Sequence, residues 1–129
     1  GIKVTGTPII DVDGMIEKKQ DGSIEITYNN TTHRNRQRFT VAHELSHYLL
    51  GHLDNSHKML RDPRKNFSSD NYDIREVEAN NLAAKLLMPK ETLEHLAYTL
   101  GHTDIDDLSS ILEVSTAALH YRLKNLGMI

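Results

Sequence analysis

The order of apolar and polar positions divides the chain into a short extended part and a longer helical remainder. Ile24, Ile26 and Tyr28 alternate with polar neighbours, the period of two that marks a strand with one buried face. Pro8 to Val12, Met15 to Lys18 and Ser23 to Tyr28 are therefore read as extended segments, with turns at Asp13-Gly14 and Asp21-Gly22. From Phe39 to Leu50 there is no Gly or Pro, and apolar side chains occupy most of a helical circumference. This predicts a helix buried on most sides and stopped at Gly51. Asp73 to Met88 is strongly helical and is closed by Pro89. Three more helices are predicted over Lys90 to Leu100, Asp104 to Leu112 and Ser115 to Leu126, with Ser115 capping the last. Leu53 to Tyr72 has little periodicity and reads as a long functional loop or linker. The expected class is α+β: a small N-terminal sheet followed by a helical majority.

Within the first long helix stands His43-Glu44-Leu45-Ser46-His47. Residues i and i+4 lie one turn apart on the same helical face, so two imidazoles at that spacing can grip one metal ion. The intervening Glu is rotated by about 100° and can reach a water at the metal rather than the metal itself. On the same wheel His47 falls near 40° from His43, Thr40 near 60° and Glu44 near 100°. A plain core helix would leave these polar groups on one stripe in need of other partners.

Catalytic zinc sites take three protein ligands and keep one position open. The extended motif with a third His six residues past the second is absent, since Leu53 stands there. His52 is one position short and, on a continued helix, would point about 140° away from His47. The alternative is a carboxylate on the helix from Asp73 to Met88. Glu76 lies mid-way along its apolar face, among Ala79, Ala83, Ala84, Leu86 and Leu87, whereas Glu78 falls on the polar face beside Asn81 and Lys85. A carboxylate on a buried face needs a cation or must neutralise, which selects Glu76. Asn80 shares that face and is placed to fix a histidine or the carboxylate.

Arg38 to Leu50, together with Glu76 to Pro89, resembles the ImmA/IrrE family of zinc peptidases. The likeness runs from about residue 20 to the C-terminus. It implies a zincin-like fold of gluzincin type and one zinc per chain, held by His43, His47 and Glu76. Glu44 would be the general base. It also implies a single zinc-peptidase domain over 1–129, with the sheet in 1–30, the metal-site helices and their connection in 36–89, and the remaining helices in 90–129. Family members cut a helix-turn-helix repressor and so switch on a mobile element or a stress response. Related domains occur in toxin–antitoxin pairs, so the alternative is a toxin or regulatory module that binds such a partner. Relatives usually begin with a helix ahead of Gly1-Ile2-Lys3-Val4, so an N-terminal part is expected to be missing. The sensor domain of radiation-response members is likewise expected to be lacking, which favours the short mobile-element type.

Composition narrows the picture further. With 129 residues the chain is long enough for one domain with a core of its own. Fifteen basic against eighteen acidic residues give a net charge of −3, and no direct contact with nucleic acid is expected. The absence of cysteine excludes disulfides and thiolate metal sites and suits the cytoplasm, where the protein is expected. No apolar run is long enough to span a membrane and none is expected to bind one. The basic run His33 to Arg38 reads as a solvated loop, with Asn35 as a possible cap. Leu108 to Leu119 is similar to the body of a helix-turn-helix. Its acidic flank (Asp104, Asp106, Asp107, Glu113) favours a helical pair that completes the core or meets a protein partner. His57 and Tyr72 are candidates to hydrogen-bond the oxyanion of peptide hydrolysis, Tyr72 the better because it lies four residues before Glu76.

Overall fold

A computed structural model describes residues 1–8, 11–53, 58–61 (backbone) and 74–129. Among the described residues four strands, β1 (Ile2–Thr7), β2 (Gly14–Lys18), β3 (Ile24–Asn29) and β4 (Lys58–Arg61), form one sheet in the order β1-β3-β2-β4. The helices are α1 (Arg34–Leu49), α2 (Ile74–Leu87), α3 (Lys90–Glu94, running on as a π turn over His95–Thr99), α4 (Ile105–Leu112) and α5 (Thr116–Asn125). Sheet followed by helical majority is the α+β arrangement expected. No helix among the described residues is long and apolar enough to cross a membrane.

β2 and β3 form an antiparallel hairpin in which Ile16 faces Ile26. Asp21 organises its turn: its carboxylate accepts from the Ser23 amide at 2.9 Å and the Ser23 hydroxyl at 2.6 Å, and Gly22 takes φ +86°. Alternation along both strands buries Ile16, Ile24 and Ile26 on one face, where Leu45 of α1 packs against them. The first strand lies earlier than the sequence suggested. Ile2–Thr7 pairs in parallel with β3, and Pro8, Asp11 and Val12 stand outside any strand. Proline has no N–H to donate, and the β1 ladder ends at Thr7, just before Pro8. The Leu53 to Tyr72 segment, read as a loop, contributes β4, which pairs antiparallel with β2. A four-residue strand is too short to show a pattern. β3 is therefore interior and β1 and β4 lie at the edges of the sheet.

Gly14 was assigned to a turn but sits at the start of β2 and serves a close approach. A Cβ there would lie 2.5 Å from Thr40 Cγ2 and 2.9 Å from the Thr27 carbonyl oxygen. Lack of a side chain at Gly14 is what lets α1 rest on the hairpin.

The basic run is a second correction. His33 to Arg38 is not a solvated loop; it opens α1, with His33 as the cap, its Nδ1 accepting from the Asn35 amide at 3.0 Å. Arg and Gln are good helix formers, and each charge finds a partner. Arg36 grips the buried Asp13 carboxylate with two hydrogen bonds of 2.9 and 2.6 Å. Arg38 donates to the carbonyls of Leu112 and Glu113 at 2.8 and 2.6 Å, and the Asn35 side-chain Nδ2 donates to the Val114 carbonyl at 3.3 Å. These acceptors lie at the C-terminus of α4, where the helix dipole is negative and free carbonyls need donors. The run thus ties α1 to both the sheet and the C-terminal helices.

Those helices enclose a second core of Met88, Leu93, Leu108, Val114, Leu119 and Leu123. α4 turns into α5 through Glu113 in the left-handed region (φ 55°), and Ser115 caps α5 by accepting from the Ala118 amide at 3.1 Å. The helix-turn-helix-like segment buries its apolar face in this core.

Candidate metal centre

α1 is not buried on most sides as its sequence suggested. Tyr48, Leu49 and Leu50 at its end are exposed, while Thr40, Ala42, His43, Glu44, Ser46 and His47 are buried, the side of the helix that meets α2. His43 and His47 have no exposed surface and Glu44 has 1%. Burying this much polar surface costs several kcal/mol unless the groups are satisfied, so the face is built for something other than packing.

α2 brings Glu76 to that face. Its Oε2 lies 2.7 Å from His43 Nε2 and 3.2 Å from His47 Nε2, and the two imidazole nitrogens are 3.1 Å apart. Three donor atoms of the kinds zinc prefers therefore converge, and the trio is the group of metal-capable side chains found among the described residues. A tetrahedron built on bonds of about 2.0–2.1 Å has edges of about 3.3 Å, close to the spacing seen, so the trio fits a small divalent cation. Burial by itself would raise the Glu76 carboxyl pKa. Hydrogen bonds from His43 and His47, with their charge, outweigh it and hold the group well below the usual carboxylate range. Glu78 stands apart from the trio with its side chain about half exposed (49%, against 20% for Glu76), as the helical wheel required.

Both histidines turn Nε2 inward, so their Nδ1 atoms face outward and need partners. His43 Nδ1 donates to Asn80 Oδ1 at 2.8 Å, one turn along α2 from Glu76. His47 Nδ1 lies 2.9 Å from His52 Nδ1. The separation of about 140° between His52 and His47 applied to a continued helix, and the helix does not continue. Leu50 ends it, Gly51 turns left-handed (φ 74°), and the chain folds back so that the Gly51 amide donates to Tyr48 and the His52 amide to His47. A glycine stop of this kind sets the residue after it against the third-last residue of the helix. Gly51 was read as a stop, so the signal was in the sequence. Tyr72 and His57 lie outside the described residues.

A cavity of about 530 Å³ lined by Asp13, His33, Asn35, Arg36, Phe39, Val114, Ser115 and Ala118 lies toward the other end of α1 and contains none of the trio. Converging donor atoms, not cavity size, locate the site.

Known proteins match the chain over most of its length. The model of a peptidase family described as the IrrE N-terminal-like domain matches residues 1–124, and the chain belongs to that family. The chain is 32% identical over 126 residues to the radiation response metalloprotease IrrE of Deinococcus deserti, a match covering 95% of this chain and 43% of that protein. It is 30% identical over 129 residues to the protein of the same name from Deinococcus radiodurans, covering 93% and 38%. The chain thus spans less than half the length of these relatives. Both are named for the radiation response, whereas the sequence reading leans to the mobile-element type.

Proposed function

We propose that this chain is a zinc-dependent endopeptidase of gluzincin type that cleaves a helix-turn-helix repressor in the cytoplasm. The observation that carries the reading is the convergence of His43 Nε2, His47 Nε2 and Glu76 Oε2 within about 3 Å on a buried face, with Glu44 on the same helix between the histidines. Membership of a peptidase family and the metalloprotease names of its relatives support it.

His43, His47 and Glu76 would hold the ion, and Asn80 orients His43 so that its Nε2 lone pair faces inward. A zinc ion there supplies Lewis acidity, polarising the scissile carbonyl and making water a better nucleophile at neutral pH. Glu44 takes the proton of the attacking water and delivers it to the leaving amine nitrogen as the C–N bond breaks. Burial of Glu44 removes competing solvent and strengthens that proton transfer. A merely structural metal site has no use for a carboxylate at this position, which favours the enzyme over a partner-binding toxin. The repressor substrate follows from the family resemblance, and the acidic start of α4 (Asp104, Asp106, Asp107) offers it a docking surface.

The test offers the zinc-loaded protein casein and the helix-turn-helix protein encoded beside it. One restricted cut in the latter is expected, with Glu44→Gln folded, metal-loaded and inactive. Broad casein digestion would overturn the specificity, and a partner bound tightly but left intact would overturn the peptidase reading.

A further inference from the structure

We propose that His52 is a positioning residue that locks His47 in the form that presents Nε2 to the metal, and that Glu78 backs it from behind. This rests on the reading of His43, His47 and Glu76 as metal ligands. An imidazole carries its proton on one nitrogen or the other, and the partner of the outer nitrogen decides which. His47 Nδ1 and His52 Nδ1 stand 2.9 Å apart, so one donates and the other accepts. If His47 uses Nε2 for the ion, its proton sits on Nδ1 and His52 Nδ1 must be the lone pair. The proton of His52 then sits on Nε2, which faces the Glu78 carboxylate at 3.6 Å. A carboxylate there stabilises that arrangement and disfavours the opposite one. The chain of contacts runs from an exposed acid through His52 to the buried ligand, a carboxylate–histidine relay with a second imidazole inserted.

The backbone shows why His52 can do this without competing for the ion. The left-handed turn at Gly51 and the hydrogen bond that the His52 backbone N–H donates to the His47 carbonyl fix the residue beside the last turn of α1. In the usual form of this cap an apolar pair fills the contact; here two imidazoles do, with ring centroids 5.1 Å apart. The His52 side chain is 9% exposed, so water does not readily replace it as the acceptor. Its Nδ1 meets the outer nitrogen of His47 and its Nε2 lies toward Glu78, so neither is directed at the point where His43 Nε2, His47 Nε2 and Glu76 Oε2 converge.

The test measures zinc affinity by competition with a chromophoric chelator in the parent, His52→Phe, His52→Asn and Glu78→Gln proteins. His52→Phe keeps the ring but removes the acceptor, and affinity should fall about 10–100-fold. Asn places its amide oxygen at the same number of bonds from Cα as Nδ1, so His52→Asn should stay within about threefold of the parent. Glu78 is half exposed and screened, so Glu78→Gln should also stay within about threefold. NMR on the zinc-loaded, ¹⁵N-labelled parent should show scalar coupling across the hydrogen bond between the two Nδ1 atoms, which a purely structural role for His52 does not require. Parental affinity in His52→Phe, or absence of that coupling, would overturn the proposal while leaving the metal reading intact. If His52→Phe does not fold, the coupling decides alone. Failure of the parent to bind zinc would overturn both.

Discussion

Replacing Gly14 by Ala puts a methyl group into the seam between the hairpin and the helix that carries His43, Glu44 and His47. The new carbon would meet Thr40 Cγ2 at 2.5 Å and the Thr27 carbonyl oxygen at 2.9 Å, where 3.4–4 Å is ordinary contact. One neighbour is a fully buried side chain and the other is backbone of the paired strand, so neither gives way cheaply. Overpacking usually costs about 1–3 kcal/mol, and two unyielding neighbours put this case at about 2–3 kcal/mol, offset by about 0.5–1 kcal/mol because Ala restricts the unfolded chain more than Gly. A net loss of about 1–2.5 kcal/mol should lower the melting temperature by roughly 3–12 °C for a domain of this size. Circular dichroism on metal-free protein is the assay, since bound ion would add its own stabilisation. Thr40→Ser removes the Cγ2 atom at fault. The double variant Gly14→Ala/Thr40→Ser should therefore recover at least about 1 kcal/mol relative to the sum of the single changes. A melting temperature for Gly14→Ala equal to or above that of the parent would refute the close-approach argument. An additive double variant would refute the role of Thr40 in it.

Three other outcomes are expected. Glu44→Gln, nearly isosteric, should keep parental zinc content and lower peptide cleavage by about 10²–10⁴-fold, measured as initial rates on a cleavable partner. Ser115→Ala should cost about 1 kcal/mol in urea unfolding, because it removes the acceptor for the Ala118 amide at the start of α5. Arg38→Ala should destabilise by about 1.5–3 kcal/mol in the same assay, since it strips a charged donor from the carbonyls of Leu112 and Glu113.

The sequence made the metal face legible because helical geometry is rigid. Spacing of four fixed His43 and His47 on one face, and the wheel alone separated Glu76 from Glu78. The hairpin and the caps at Gly51 and Ser115 were legible for a similar reason: alternation and capping are local, and the side chains concerned act within a few residues. What stayed hidden depended on partners distant in sequence. Nothing near Arg36 or Arg38 announces Asp13 or the end of α4, so a helical run with every charge engaged resembled a loop. Gly14 beside Asp13 looked like a turn because a glycine that admits a neighbouring helix and one that admits a positive φ are the same letter. β1 pairs with β3 across the intervening hairpin, and β4 joins the sheet from beyond α1, contacts that no local window contains. The contact of His52 with His47 stayed hidden because a helical wheel says nothing of a residue beyond the stop at Gly51.

The central claim is that His43, His47 and Glu76 together form a metal centre on this chain. Elemental analysis after dialysis against a limiting zinc buffer tests it, using the parent and the variants Glu76→Gln and Glu78→Gln. The convergence of Glu76 Oε2 on both imidazoles, and the half-exposed position of Glu78 outside the trio, predict one zinc per parent chain. Glu76→Gln should lose most of it and Glu78→Gln should retain it. Full zinc in Glu76→Gln with loss in Glu78→Gln would contradict the account.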